Sequence, residues 1–466
     1  MSSLELPKPL GLDALHPPQR SPWRHWLGQA TWPFTLLMVL ATLLSVLPSL
    51  RLLWEALAGW RLGPDAPLLR AAADPMTWYA LINTLNMGVW GTLVAVALGA
   101  LFALAVVLTD MRRKSLWVFA FMLPMMIPPQ VTALAWLQLL GPSSTLLQSL
   151  DLAPALGSPQ PLYSPAGIAL LLGVQHAPLV FLALRASLLA LPADLCEAAR
   201  LSGAGPWRVL WQVVLPLARP GLVAGAAMAF VSALGNFGIP AMLGIPVGYY
   251  TLPTLIYQKM ASFGPGMLQH VAALSMLVGA IALAGVALQM RLQSRARYRL
   301  VGMNGRPATM SLGRWHVALE ALIALVLAMV LLAPLVALVS SSLVPAMGVS
   351  LSAQSFTLHA YEEMLSRQGV TWRAAGNSLL LAGSAALLLL ALAVPLAWFM
   401  VRRPSRWGAV VNACLEIPYA LPGTVLAVAC ILLLAKPLPV LQVGLYGTLG
   451  IIFVAYLARF IVVALK

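Results

Sequence analysis

Apolar runs of about twenty residues recur along this chain, each closed by a short polar or basic stretch. A bilayer core about 30 Å thick takes roughly 20 apolar residues per helix. The runs at 32–53, 79–109, 116–140, 165–190, 217–235, 268–290, 315–339, 373–401, 407–435 and 445–465 read as membrane spans on that measure. The pattern therefore predicts an all-α polytopic membrane protein.

The pattern also repeats. "LINTLNMGVWGTLVAVALGALFALAVVLTDMRRKSLWVFAFMLPMMIPP" echoes "AGNSLLLAGSAALLLLALAVPLAWFMVRRPSRWGAVVNACLEIPYALPG". Asn83 pairs with Asn377, Pro124 with Pro418 and Pro128 with Pro422, each pair 294 positions apart. Six spans precede the second copy, which starts near Trp315 and so keeps the orientation of the first. Parallel repeats of this kind build a two-fold-like transporter core with a path between the halves. The paired prolines bear on that path. Proline removes a backbone donor and clashes with the preceding turn, so each Pro-x-x-x-Pro opens its helix. Freed carbonyls at membrane depth are tolerated where protein buries them or water meets them. Pro124, Pro128, Pro418 and Pro422 are thus candidates for the path, an ordinary packing kink being the other reading.

Charge orients the spans. The chain is 61% hydrophobic, 9% charged and carries a net charge of +15, too few charges for a water-facing surface. The basic residues cluster between spans rather than forming a nucleic-acid patch. Arg112, Arg113 and Lys114, then Arg185, Arg200, Arg208 and Arg219, then Arg291 to Arg314, then Arg402, Arg403 and Arg406 fall on one side. The other side holds scattered bases such as Arg61, Arg70, Lys259 and Arg367. The positive-inside rule makes the clustered side cytoplasmic, with the N-terminus on it. The polar, Pro-rich start and its late first apolar run argue for a retained helix rather than a cleaved signal. Three cysteines without C-x-x-C spacing indicate neither a zinc site nor a disulfide framework.

One cytoplasmic stretch breaks the apolar texture: "CEAARLSGAGPWRVLWQVVLP", Cys196 to Pro216. Residues 192–216 predict two short helices, Asp194 capping the first, Gly203 closing it in a left-handed turn and Pro206 opening the second. The spacing Glu197-Ala198-Ala199, Gly203, then Val213-x-Leu215-Pro216 resembles the EAA loop of ABC-importer permease subunits. That resemblance implies a coupling helix seated on a separate ATP-binding subunit, with Glu197, Ala198, Ala199, Gly203, Leu215 and Pro216 as the coupling residues. It extends along the chain as a fused permease of two homologous halves, nearest to the ferric-iron type. "SALGNFGIPAMLGIPVGYYTLPTLIYQ" (232–258) and "LSAQSFTLHAYEEML" (351–365) carry that likeness. Thiamine and aminoalkylphosphonate permeases share the organisation. The family implies a bacterial inner-membrane location, an ATP-binding subunit dimer and a periplasmic solute-binding protein. It implies no cofactor in this chain, since ATP-Mg is held by the partner, and the chain has no G-x-x-x-x-G-K-[ST] loop.

The expected organisation is then a cytoplasmic tail at 1–31, a first half at 32–300 with its coupling loop at 192–216, a basic linker at 301–314 and a second half at 315–466. The family pattern calls for a second EAA loop. Pairing Arg185 with Lys466 puts its glutamate near 478, so the second half is expected to continue through that loop and two further helices.

Single residues carry less. A charge at mid-span costs at least ~2.5–3.5 kcal/mol on insertion scales, and two roles fit Glu416: lining the path, or a local hydrogen bond beside Pro418. Asn236 suits a helix-end cap slightly better than a substrate contact. The six histidines are dispersed, with no pair at metal-ligand spacing, and Gly221 and Gly225 read as a close-packing pair. A secondary transporter would need more intramembrane acids than Glu416, and a membrane enzyme a cluster of Asp, His or Cys.

Overall fold

A computed structural model describes residues 32–57, 63, 65–155, 157–262, 266–295, 309, 313–402, 406–435 and 444–465. The expected tail at 1–31, most of the linker at 301–314, and Lys466 lie outside the described residues. The main helices are α1 Trp32–Leu57, α2 Pro75–Leu108, α3 Lys114–Met126, α4 Pro129–Leu140, α5 Pro165–Leu189, α6 Ala193–Leu201, α7 Pro206–Leu234, α8 Met267–Arg295, α9 His316–Ser342, α10 Gly369–Arg402, α11 Arg406–Ala420, α12 Gly423–Leu434 and α13 Leu449–Leu465. Their starts follow local chemistry. Asp74 accepts from Met76 N (2.9 Å) ahead of Pro75, and Ser164 accepts from Gly167 N (3.1 Å) ahead of Pro165. Each pairs a side-chain cap with a proline at the first helical position, where its missing donor costs nothing.

Among the described residues, seven helices are long and apolar enough to cross a membrane. Two further expected spans, 116–140 and 407–435, are not single straight helices. Each is a pair of half-helices bent sharply at its proline pair, by 101° in the first and 107° in the second. At 1.5 Å per residue the 12-residue α4 and α12 reach only about 18 Å, well short of a ~30 Å hydrocarbon core. The tenth expected span, α13, is 17 residues long. The repeat is visible in these bounds. α2 and α10 both run 34 residues, and both their ends lie 294 apart; α4 and α12 match at the same offset.

Close approach of backbones holds the first half. Lipid supplies no hydrophobic drive between helices, so small residues that let backbones meet become the packing device. A Cβ on Gly99 of α2 would stand 2.7 Å from Ala177 O and 2.9 Å from Phe181 N of α5. Gly173 of α5 sits against Val94 of α2, and Gly225 of α7 would meet Val180 Cα at 2.7 Å. Gly221 lies against Ser187 in the same way, so the Gly221/Gly225 pair packs α7 on α5. Clamped from both sides, α5 is the most buried of the spans.

The two halves exchange their first helices. α1 packs on α11, α12 and α13: Met38 and Ala41 share a cluster with Leu415, Leu457 and Ile461, and Phe34 stacks on Phe399 of α10 (5.1 Å between centroids). Reciprocally, α9 lies on the first half, where Ile323 and Leu327 join the Phe102–Phe121–Phe181 cluster. Glu320 there accepts from Arg112 N (2.7 Å). On α10, Ala385, Leu389, Ala393 and Leu396 are buried while Leu379, Leu387 and Val394 stand exposed. Gly383 of α10 has nothing within 4 Å. Gly99→Ala is therefore expected to lower the thermal midpoint of the detergent-extracted protein, overpacking costing about 1–3 kcal/mol. Gly383→Ala should leave it unchanged or higher, because Ala favours a helix over Gly by about 1 kcal/mol.

Candidate functional site

The two proline breaks face one cavity of about 490 Å³ between the halves. Pro128 (φ −55°, ψ 138°) and Pro422 (φ −54°, ψ 144°) have nearly the same backbone conformation and precede α4 and α12, neither of which receives a side-chain cap. Each break frees the carbonyl just before it, and each half satisfies that carbonyl from its next helix. Gln175 Nε2 of α5 donates to Ile127 O (3.1 Å), and Arg459 Nη1 of α13 donates to Leu421 O (3.1 Å). Ile127 and Leu421 are 294 apart; Gln175 and Arg459 are 284 apart, the same offset as the starts of α5 and α13. Gln175 and Arg459 thus do the same job in the two halves.

The cavity wall carries Gln130, Gln175, His176, Ser232, Asn236 and Arg459 among apolar residues such as Leu179 and Tyr419. No Asp or Glu among the described residues lines it. Pro422 is on the wall, Pro124 and Pro418 are buried one turn before the breaks, and Pro128 is the residue before α4, whose first residue, Pro129, is on the wall. Asn236 Oδ1 accepts from Ile239 N (3.1 Å) in the first turn of the short helix Gly238–Leu243, whose cap position is Phe237, while lining the cavity. Glu416 stands off the wall, half-buried, and accepts from Asn412 Nδ2 (3.3 Å). Asn83 lies elsewhere. It donates to Tyr250 O (2.9 Å), while the neighbouring Thr84 Oγ1 accepts from Leu252 N (2.8 Å), and together they hold the strip after α7 against α2.

Sequence reasoning passed over Gln175 and Arg459. The signal for Arg459 was a lone guanidinium inside "IIFVAYLARFIVVAL", the same anomaly that drew attention to Glu416. Gln175 has no comparable signal, because a neutral amide hardly disturbs hydropathy.

The 192–216 stretch forms a separate surface element. α6 presents Glu197, Ala198 and Leu201 outward, Leu201 being 91% exposed. Its inner face seats Cys196 against Val209 and Val214, and burial pushes that thiol's pKa up. Asp194 is not the cap: Pro192 occupies that position without a side-chain bond, and Asp194 lies in the first turn, where its charge still suits the helix dipole. Gly203 takes φ +83°. Ala204 N donates to Ala199 O (3.0 Å) and Gly203 N to Arg200 O (2.9 Å), the paired bonds of a Schellman turn. Pro206 opens the next helix, but no second short helix follows. Pro206–Leu234 runs on as one span through a π turn at Leu210–Val214. Pro216 cannot donate to the preceding turn, and the wide turn before it absorbs the lost bond. α9 does the same with a π turn at Ala328–Leu332 before Pro334. Trp207 and Trp211 are 74% and 65% exposed, so the stretch shows a mixed charged and apolar face.

Residues 95–298 match the family described as the binding-protein-dependent transport system inner membrane component. ModB of Escherichia coli, a molybdenum transport system permease protein, is 31% identical over 218 residues, 46% of this chain and 91% of ModB. The chain belongs to this family. YdcU of Escherichia coli, an inner membrane ABC transporter permease protein, is 32% identical over 211 residues, 42% of this chain and 66% of YdcU. PhnU of Salmonella typhimurium, named for 2-aminoethylphosphonate transport, is 30% identical over 231 residues, 49% of this chain and 80% of PhnU. These relatives are permease subunits, and this chain is a multi-pass membrane protein like them. Within this permease, Gly203→Val should loosen the turn after α6, since a left-handed conformation costs a non-glycine residue about 1–2 kcal/mol. Limited trypsinolysis at Arg200 and Arg208 is expected to run several-fold faster than in wild type, with cleavage elsewhere unchanged.

Proposed function

We propose that this chain is the membrane subunit of an ATP-driven importer in a bacterial inner membrane, its N-terminus cytoplasmic. The cavity between the proline breaks is its translocation path, and Glu197, Ala198, Ala199, Gly203, Leu215 and Pro216 belong to the loop through which a separate ATP-binding dimer drives it. The observation that carries the reading is the pair of matched breaks opening on one cavity: interrupted helices at corresponding positions in two halves mark the path of a transporter. An exposed α6 stabilised by its own glycine turn supports the coupling role, because a docking element has to keep its shape before its partner arrives. A periplasmic binding protein delivers the cargo.

In this mechanism the ATPase closes on ATP, pulls the α6 loop and tilts one half against the other about the cavity. That works only if the closed ATPase binds one arrangement of the loop more tightly than the other. The exchange of α1 and α9 makes each half carry a helix of its neighbour, so a tilt at one face is felt at both. On cargo, the likeness to ferric-iron permeases points to iron, whereas relatives named for molybdenum and 2-aminoethylphosphonate point to anions. The wall chemistry supports the anions.

The test is recovery of the tagged protein from its own host in mild detergent, with ATP hydrolysis measured on the purified material. Wild type is expected to bring down an ATPase. Glu197→Arg should lose at least about 90% of that activity at unchanged elution volume, since a reversed charge at a docking centre typically costs several kcal/mol. A wild type that recovers no ATPase overturns the importer reading; an ATPase retained by Glu197→Arg overturns the role of Glu197.

A further inference from the structure

The two halves solve one local problem with different residues. Ile127 O is satisfied by the neutral amide of Gln175 and Leu421 O by the guanidinium of Arg459. A neutral donor is sufficient at the first break, so the charge at the second exceeds what the fold requires. It is also the costlier choice, at least ~2.5–3.5 kcal/mol for an arginine inside an apolar span on insertion scales. The guanidinium keeps its charge and has five N–H donors. Its bond to Leu421 O uses one, no carboxylate among the described residues pairs with it, and Arg459 is on the cavity wall.

The surroundings point the same way. His176 is 6% exposed and lines the cavity; its Nδ1 bonds Leu172 O (2.8 Å), and its Nε2 makes no hydrogen bond to a described residue. Gln130 adds an amide. α4 and α12 both begin on the wall and both lack a side-chain cap, so the first-turn N–H groups of Gln130 and Val131 in one, and of Gly423, Thr424 and Val425 in the other, add positive potential. With no acid on the wall, a cation meets net repulsion there. Resting on the reading of the cavity as the path, we infer that the cargo is a small tetrahedral oxyanion and that Arg459 is the residue that selects it. About 490 Å³ holds such an ion with several waters at ~30 Å³ each. A single guanidinium reached partly through water gives the brief contact that passage needs, where a ring of cations would trap the ion.

The reporter is a thiol at Ser232→Cys on the cavity wall, in the full chain reconstituted in nanodiscs at low salt. Its labelling by an anionic methanethiosulfonate (sulfonatoethyl) is compared with a cationic one (trimethylammonioethyl), and the unsubstituted protein's rate is subtracted. Relative to a free thiol, the anionic reagent should be favoured about 10-fold or more, the scale on which a charged cleft concentrates counter-ions. That preference should vanish in Arg459→Gln and persist in Arg459→Lys, which keeps the charge if not the geometry. Sulfate, molybdate or 2-aminoethylphosphonate at 10 mM should slow labelling several-fold beyond chloride of equal ionic strength. An equal or cationic preference, a preference unchanged in Arg459→Gln, or no protection by any of the three overturns the anion assignment and leaves the path standing. A thiol that neither reagent reaches overturns the path itself.

Discussion

Everything in this protein hangs on two backbone carbonyls. A helix broken at membrane depth exposes a C=O that lipid cannot satisfy, at a cost of several kcal/mol. At Ile127 and Leu421 the protein meets that demand with a side chain from the next helix. The bond does more than neutralise a polar group. It fixes α5 against the first break and α13 against the second, and so places the walls between which the cavity opens. The prolines make the breaks; the two donors make them tolerable.

The repeat gives the molecule its symmetry, and function is read where the symmetry fails. Helix lengths, bend angles and the proline conformations agree across the halves almost residue by residue. Against that background, Gln175 facing Arg459 is a difference of one full charge. Gly99, which lies against Ala177 and Phe181, has Ala393 as its counterpart, a residue that carries the Cβ Gly99 has no room for. The first concerns what passes through the protein, the second what surrounds each half.

Much of this was legible in the sequence. Hydropathy located the helices, because burial in lipid is a property of each segment alone. The 294-residue offset and the prolines located the breaks, and Gly203 declared its turn. Other features depend on partners that no local pattern names. The right-angle bends required knowing which side chains could satisfy the freed carbonyls. Asp194 lost its capping role to Pro192 because the helix starts two residues earlier than a carboxylate cap would set it. The run from Pro206 into the span needed a π turn to bypass Pro216, a register shift invisible to composition. Arg459 was in plain view, but its importance came from its counterpart.

The exchange of first helices has a consequence for how the protein is made. α1 enters the membrane at the start of synthesis, yet the residues it packs on, Leu415 and Ile461, lie nearly four hundred positions later. At 5–20 residues per second, α1 waits roughly 20–75 s in the bilayer before these neighbours exist. During that interval its C-terminal end can pack on α8, where Leu52 and Ala56 meet Val271 and Leu274, while lipid covers the rest of an apolar surface that includes Leu36, Val39, Leu40, Leu43 and Leu50. The arrival of α11 and α13 then closes the second half on α1.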